Sequence, residues 1–136
     1  MNNPISSRLL VVDDYGPWRR YVCFRLQEHP GMQVVAEAAN GLEVIPKASE
    51  LRPDLVLLDI QLPDISGIEV SSRIGHAIPG TKILFATQDD DPDLAGVALN
   101  NEAYGLLLKA DAGTELLPAL EMVLRGEKFV SRRVQA

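Results

Sequence analysis

A single cysteine, Cys23, in 136 residues excludes an internal disulfide and any cysteine-based metal cluster. A reducing compartment fits that count. Long hydrophobic runs are missing too: stretches such as Leu9–Val12 and Leu55–Leu58 fall far short of the ~18 apolar residues that a membrane span needs. No basic-then-apolar leader opens the chain, so the expected location is cytoplasmic, with no membrane partner. Basic charge is in deficit, with 13 Lys and Arg against 19 Asp and Glu and a formal net charge of −6. A domain of that sign is not expected to grip a nucleic-acid backbone by itself, because such binders carry a basic face.

What is present is an ordinary globular composition, 46% hydrophobic and 24% charged, which points away from the disordered and repeat classes. The length suits one domain with its own core. Leu9–Val12 is apolar and ends in Asp13-Asp14; Gly16-Pro17 follows, then Trp18, Val22, Cys23 and Leu26 at helical spacing. That is strand, loop, helix. Pro30-Gly31 breaks the helix, and Met32–Ala38 reads as a second strand. After the Asn40-Gly41 turn, Val44, Ile45, Ala48 and Leu51 form an amphipathic stripe, with Pro46 expected to bend its first turns. The continuous run Leu55–Leu58 suits a central parallel strand covered on both faces.

The pattern then repeats: a helix near Gly67–His76, a strand at Lys82–Ala86, a helix near Pro92–Asn101, a strand at Gly105–Leu108 and a helix over Thr114–Arg125. Asp91-Pro92 is a good helix opening, Asp as cap and Pro in the first helical position. Five strands alternating with five helices predict an α/β doubly wound parallel sheet, and we expect the flavodoxin-like (βα)5 order 2-1-3-4-5. In such sheets functional groups gather beyond the carboxyl ends of the strands.

Those ends carry Asp13 and Asp14 after the first strand, Asp59 after the third, Thr87 after the fourth and Lys109 after the fifth. Three carboxylates brought that close disfavour one another's ionisation and call for a cation. Hard oxygen ligands with open positions suit Mg²⁺. Lys109 adds positive charge and the Thr87 hydroxyl a hydrogen-bond donor, a set fitted to stabilise a phosphoryl group in transfer to an Asp carboxylate.

Leu9-Leu10-Val11-Val12-Asp13-Asp14, then Pro53-Asp54 through Leu58-Asp59-Ile60-Gln61 to Ser66-Gly67, then Thr87, then Gly105 to Lys109, together resemble the receiver domains of two-component response regulators. The resemblance runs from about Arg8 to Ser131. It implies that 1–7 is an N-terminal tail, 8–131 the receiver, and 132–136 a C-terminal tail or the start of a linker. It also implies roles. Asp59 would accept phosphate from a sensor histidine kinase; Asp14, Asp59 and the Gln61 backbone carbonyl would bind Mg²⁺ directly, and Asp13 through water. Thr87 and Lys109 would hold the phosphoryl oxygens. The text from Lys109 to Leu117 and from Val123 to Ser131 looks most like the LuxR/NarL-type transcription regulators, in which a DNA-binding domain follows; such proteins leave room for a homodimer. As the chain stops at Ala136, the expectation is a receiver fragment or a stand-alone receiver.

Two positions depart from the family pattern. Leu106 stands where receivers usually carry an aromatic residue whose rotation is linked to phosphorylation, and Gln88 stands where a small side chain usually lines access to the acceptor. A receiver that acts as a protein-interaction module without phosphorylation is therefore the alternative function. A flavodoxin-like enzyme binding FMN is a third class, disfavoured because Asp13-Asp14-Tyr15-Gly16 lacks the small hydroxyl residues suited to a flavin phosphate. The Asp89-Asp90-Asp91 run reads as the solvated start of a helix rather than a second metal site. Arg19-Arg20 reads as a solvated face, Cys23 as a small core residue, and Trp18 as packing or partner surface.

Overall fold

The computed structural model describes residues 6–100 and 103–135. In chain order it contains β1 Ser7–Val12, α1 Gly16–Leu26, β2 Met32–Ala38, α2 Gly41–Leu51, β3 Leu55–Asp59, α3 Gly67–Ala77, β4 Lys82–Thr87, α4 Pro92–Asn100, β5 Gly105–Leu108, α5 Ala112–Leu124 and β6 Phe129–Val130. Short 3-10 turns occupy Lys109–Asp111 and Arg132–Val134. The strands form one parallel sheet in the order β2-β1-β3-β4-β5-β6. This is the flavodoxin-like arrangement expected from the sequence, with one strand more. Asn101, assigned to the fourth helix from sequence, lies outside the described residues.

The central strands are apolar without alternation because both faces of the sheet are covered. Successive side chains point to opposite faces, and each run divides accordingly. Leu9, Val11, Leu55, Leu57, Leu84, Ala86 and Leu107 pack under α1 and α5, against Trp18, Val22, Leu26, Leu116, Leu120 and Val123. Leu10, Val12, Val56, Leu58, Ile83, Phe85, Leu106 and Leu108 face the other way, toward Val44 and Ala48 of α2, Val70 and Ile74 of α3, and Ala98 of α4. Cys23 is half-buried, outside both clusters, with its thiol on the Glu37 carboxylate. The core assignment made for it from sequence is thus corrected: Val22, one position earlier, takes the inward face of α1.

Helix starts are set by side-chain acceptors. Asn40 accepts from Glu43 N at 3.0 Å and opens α2, Ser66 accepts from Ile68 N at 3.1 Å and opens α3, and Asp91 accepts from Asp93 N at 3.0 Å at the head of α4. The Asp89–Asp91 run is therefore a helix start. The added strand β6 pairs Phe129 with Gly105 and Val130 with Leu106. A Cβ on Gly105 would lie 1.8 Å from the Phe129 carbonyl oxygen, so only glycine admits this approach. Beyond β6, Ser131 and Val134 are buried, and Val134 joins the cluster that holds Leu106.

Candidate functional site

β1, β3, β4 and β5 end side by side, and the residues that follow them form one acidic pocket. Asp13, Asp14, Asp59, Gln61, Gln88 and Lys109 line a cavity of about 370 Å³, together with Tyr15, Leu62 and Pro63. One carboxylate oxygen from each of Asp13, Asp14 and Asp59 lies within 4.8 Å of the others. Asp13 and Asp59 are buried and Asp14 is exposed at the mouth.

Each acid is held by its neighbours. Asp13 Oδ1 accepts from Tyr15 N at 2.9 Å, its backbone N–H donates to Ala38 O, and its carbonyl accepts from the Arg19 guanidinium, which also pairs with Glu37. Asp13 Oδ2 forms an ion pair with Lys109 Nζ, which lies 3.6 Å from Asp59 Oδ2. Asp59 Oδ1 accepts from the Gln61 N–H at 3.1 Å. Burial pushes the Asp59 carboxyl above its usual range; Lys109 pulls it back, and the charges of Asp13 and Asp14 raise it again. An acid kept from easy ionisation by burial, and further by two neighbouring acids, is in the electrostatic state that a bound cation relieves.

The loop after β3 closes tightly on this pocket. Gly67 N donates to Ile60 O at 2.7 Å, and a Cβ on Gly67 would lie 2.1 Å from the carbonyl oxygen of Asp59. Thr87 is brought to the same edge, opposite Leu108 in the ladder, but its hydroxyl accepts from Asp89 N at 3.1 Å and it is not part of the cavity lining. Gln88, its exposed neighbour, does line the cavity. Leu106 is fully buried, outside the pocket lining and in the core cluster that also holds Val134, whereas Tyr104 packs on the opposite face of the sheet with the Lys82 ammonium over its ring.

Sequence reasoning left two contributors unassigned. Arg19, read as a solvated side chain, anchors the Asp13 carbonyl. Trp18, one helical turn after the acid pair, presents its ring to the Lys109 ammonium, 5.3 Å from ring centre to nitrogen. The stripe Trp18, Val22, Leu26 shows that the ring faces the core, yet only the start of α1 at Gly16-Pro17 determines that it meets Lys109.

The donor set fits a divalent cation: three carboxylates, hard oxygen ligands converging from two strand ends, with a cavity open on one side. Fold and pocket together define a doubly wound α/β domain whose acidic centre lies at the strand termini. Residues 9–121 match the response regulator receiver domain, and the chain belongs to that family, one of phosphoacceptor regulatory domains.

Among its relatives, the response regulator GacA of Pseudomonas viridiflava is 32% identical over 127 residues, covering 93% of this chain and 59% of the relative. The oxygen regulatory protein NreC of Staphylococcus aureus (strain JH9) is 34% identical over 128 residues, with the same two shares. This chain therefore spans about 59% of the length of the curated relatives it matches. A solved two-component response regulator of the LuxR family from Aurantimonas sp. SI85-9A1 superposes with a TM-score of 0.86 at 31% identity, over 93% of this chain and 89% of that one. The signal receiver domain of the putative response regulator NarL from Mycobacterium tuberculosis gives 0.84 at 30% identity, over 91% and 100%.

Proposed function

We propose that this domain is a phosphorylation switch that takes a phosphoryl group onto Asp59 from a sensor histidine kinase, with Mg²⁺, as the regulatory part of a transcriptional response regulator. The observation that carries this is the convergence of Asp13, Asp14 and Asp59 within 4.8 Å, with Lys109 bridging two of them. In this reading the receiver comprises residues 8–131, with 1–7 and 132–136 flanking it, and works in the cytoplasm. Homodimer formation and DNA binding would belong to the longer protein, the latter through another domain, since the chain's net charge is −6.

The Asp59 carboxylate attacks phosphorus in line, the bond from phosphorus to the donor nitrogen breaks with its electron pair going to the departing imidazole, and an acyl phosphate remains on Asp59. Asp14, Asp59 and the Gln61 carbonyl would hold the cation directly, and Asp13 through water. Bound there, Mg²⁺ would neutralise charge on the carboxylates and on the phosphoryl oxygens. Lys109 supplies an ammonium from inside the pocket to one phosphoryl oxygen, and Thr87 a hydroxyl proton to another. The exposed Gln88 side chain narrows the approach of donor and water, and the buried Leu106 takes the place of an aromatic switch.

Incubation with Mg²⁺ and acetyl phosphate, read by intact mass, tests this. The wild type gains one phosphoryl group and Asp59→Asn gains none. Absence of phosphate on the wild type across several small donors would favour the alternative, a receiver working as an interaction module without phosphorylation, in keeping with a buried leucine at position 106 in place of an aromatic residue.

A further inference from the structure

We propose that Trp18 is a positioning residue for Lys109, holding its ammonium by the face of the indole so that it can turn from the acids to an incoming phosphoryl oxygen. The inference deepens the reading of Asp59 as phosphoacceptor and rests on it.

Lys109 follows the last residue of β5 and extends across the strand ends, with its side chain 10% exposed. Its ammonium meets Asp13 Oδ2, lies 3.6 Å from Asp59 Oδ2, and sits over the Trp18 ring, 5.3 Å from its centre. That distance falls inside the ~6 Å range of a cation held by an aromatic face, an attraction that grows as water is removed.

The ring is fixed independently of the lysine. Trp18 N donates to Tyr15 O at 3.1 Å in the first turn of α1, its side chain packs among the core residues shared with α5, and Tyr21 lies against it with centroids 5.7 Å apart. Tyr21 is in turn covered by Arg25, which donates to its hydroxyl. The indole is therefore a rigid wall and the lysine, on a flexible four-carbon stem, is the part that moves.

An aromatic wall does something here that neither a carboxylate nor an aliphatic side chain does. A further carboxylate would engage the ammonium protons and compete with the phosphoryl group. An aliphatic wall would leave the inner flank of a desolvated cation without any attraction. The indole face attracts the charge while leaving the three N–H donors free for oxygen acceptors. Lys109 can then pivot between Asp59 and a phosphoryl oxygen while remaining in contact with the wall.

The test measures phosphorylation by acetyl phosphate with Mg²⁺ for the wild type, Trp18→Phe and Trp18→Leu, each also in a Lys109→Gln background. Leu should slow uptake about tenfold, the size of effect expected for a desolvated cation losing its aromatic partner, and Phe, which keeps a weaker aromatic face, about threefold or less. In the Lys109→Gln background the Leu change should add nothing, since a residue acting through Lys109 has no target once the ammonium is gone. If Leu fails to fold, Met replaces it as the non-aromatic variant. Equal slowing by Leu and Phe, or a Leu penalty that persists without Lys109, means that Trp18 only packs, and overturns the proposal. A wild type that takes phosphate while Leu matches it also overturns the proposal and leaves Asp59 as acceptor; a wild type that takes none overturns both.

Discussion

Gly67 sits where the chain leaving β3 folds back over its own strand end, and no side chain larger than hydrogen fits between it and the Asp59 carbonyl. Gly67→Ala must displace that backbone, so we expect a loss of about 1–3 kcal/mol, the usual range for forcing an extra carbon into packed space. The same displacement moves the backbone of Asp59 and Gln61, so acetyl-phosphate labelling should fall further than the unfolding midpoint alone explains. Preserved labelling in a folded Gly67→Ala would mean that the loop tolerates the shift. Gln88 behaves differently, because it is exposed, lines the pocket, and no described helix or strand contains it. Gln88→Ala should leave stability within about 0.5 kcal/mol, as surface changes do, while shortening the lifetime of the phosphorylated form by opening the route for water. Equal lifetimes in wild type and variant would remove Gln88 from any gating role.

Between elements, the seam from the β3–α3 loop to α2 is held by Asp64. Its Oδ1 accepts from Gly41 N and its Oδ2 from Leu42 N, both at 2.8 Å, so a loop carboxylate satisfies the first amides of a neighbouring helix. Those bonds lower the Asp64 pKa below its ordinary value. A group whose pKa is depressed by folding contributes stability above its unfolded pKa and loses it as the pH falls through the folded value. Asp64→Asn should therefore lower the urea midpoint at neutral pH, with the difference from wild type closing in acid below the carboxylate range; a gap that persisted there would assign the effect to shape rather than charge.

This seam also marks the limit of what the chain discloses by itself. Strand ends, helix stripes and the Asp91 cap are local patterns, so five strands, five helices and the pocket acids were legible. Asp64 bonding to another helix's amides is a nonlocal match with no periodic trace. The two-residue strand β6 escaped for the same reason: Phe129 and Val130 pair only because Gly105, more than twenty residues back, leaves room. Trp18 was left open between packing and partner surface; the structure places it in the core, and which charged group it meets depends on how α1 lies over the end of β5.

For the whole molecule, an excess of acid gives a stability that responds to cations in two separable ways. With a formal net charge of −6, any salt should relieve some self-repulsion, diffusely and without saturation. A cation bound among Asp13, Asp14 and Asp59 would instead stabilise the folded state by mass action, by about 2.7 kcal/mol at a hundred times its dissociation constant. The melting temperature in MgCl₂ should thus rise above that in NaCl of matched ionic strength and follow the logarithm of Mg²⁺ concentration once the site fills. Asp14 is exposed, so Asp14→Ala should fold and lose the excess, whereas Asp90→Ala, in the loop before α4 and outside the pocket lining, should keep it. An identical rise in all three proteins, or none beyond NaCl, would show that the acids act only as diffuse charge and that the pocket does not bind the cation its geometry fits.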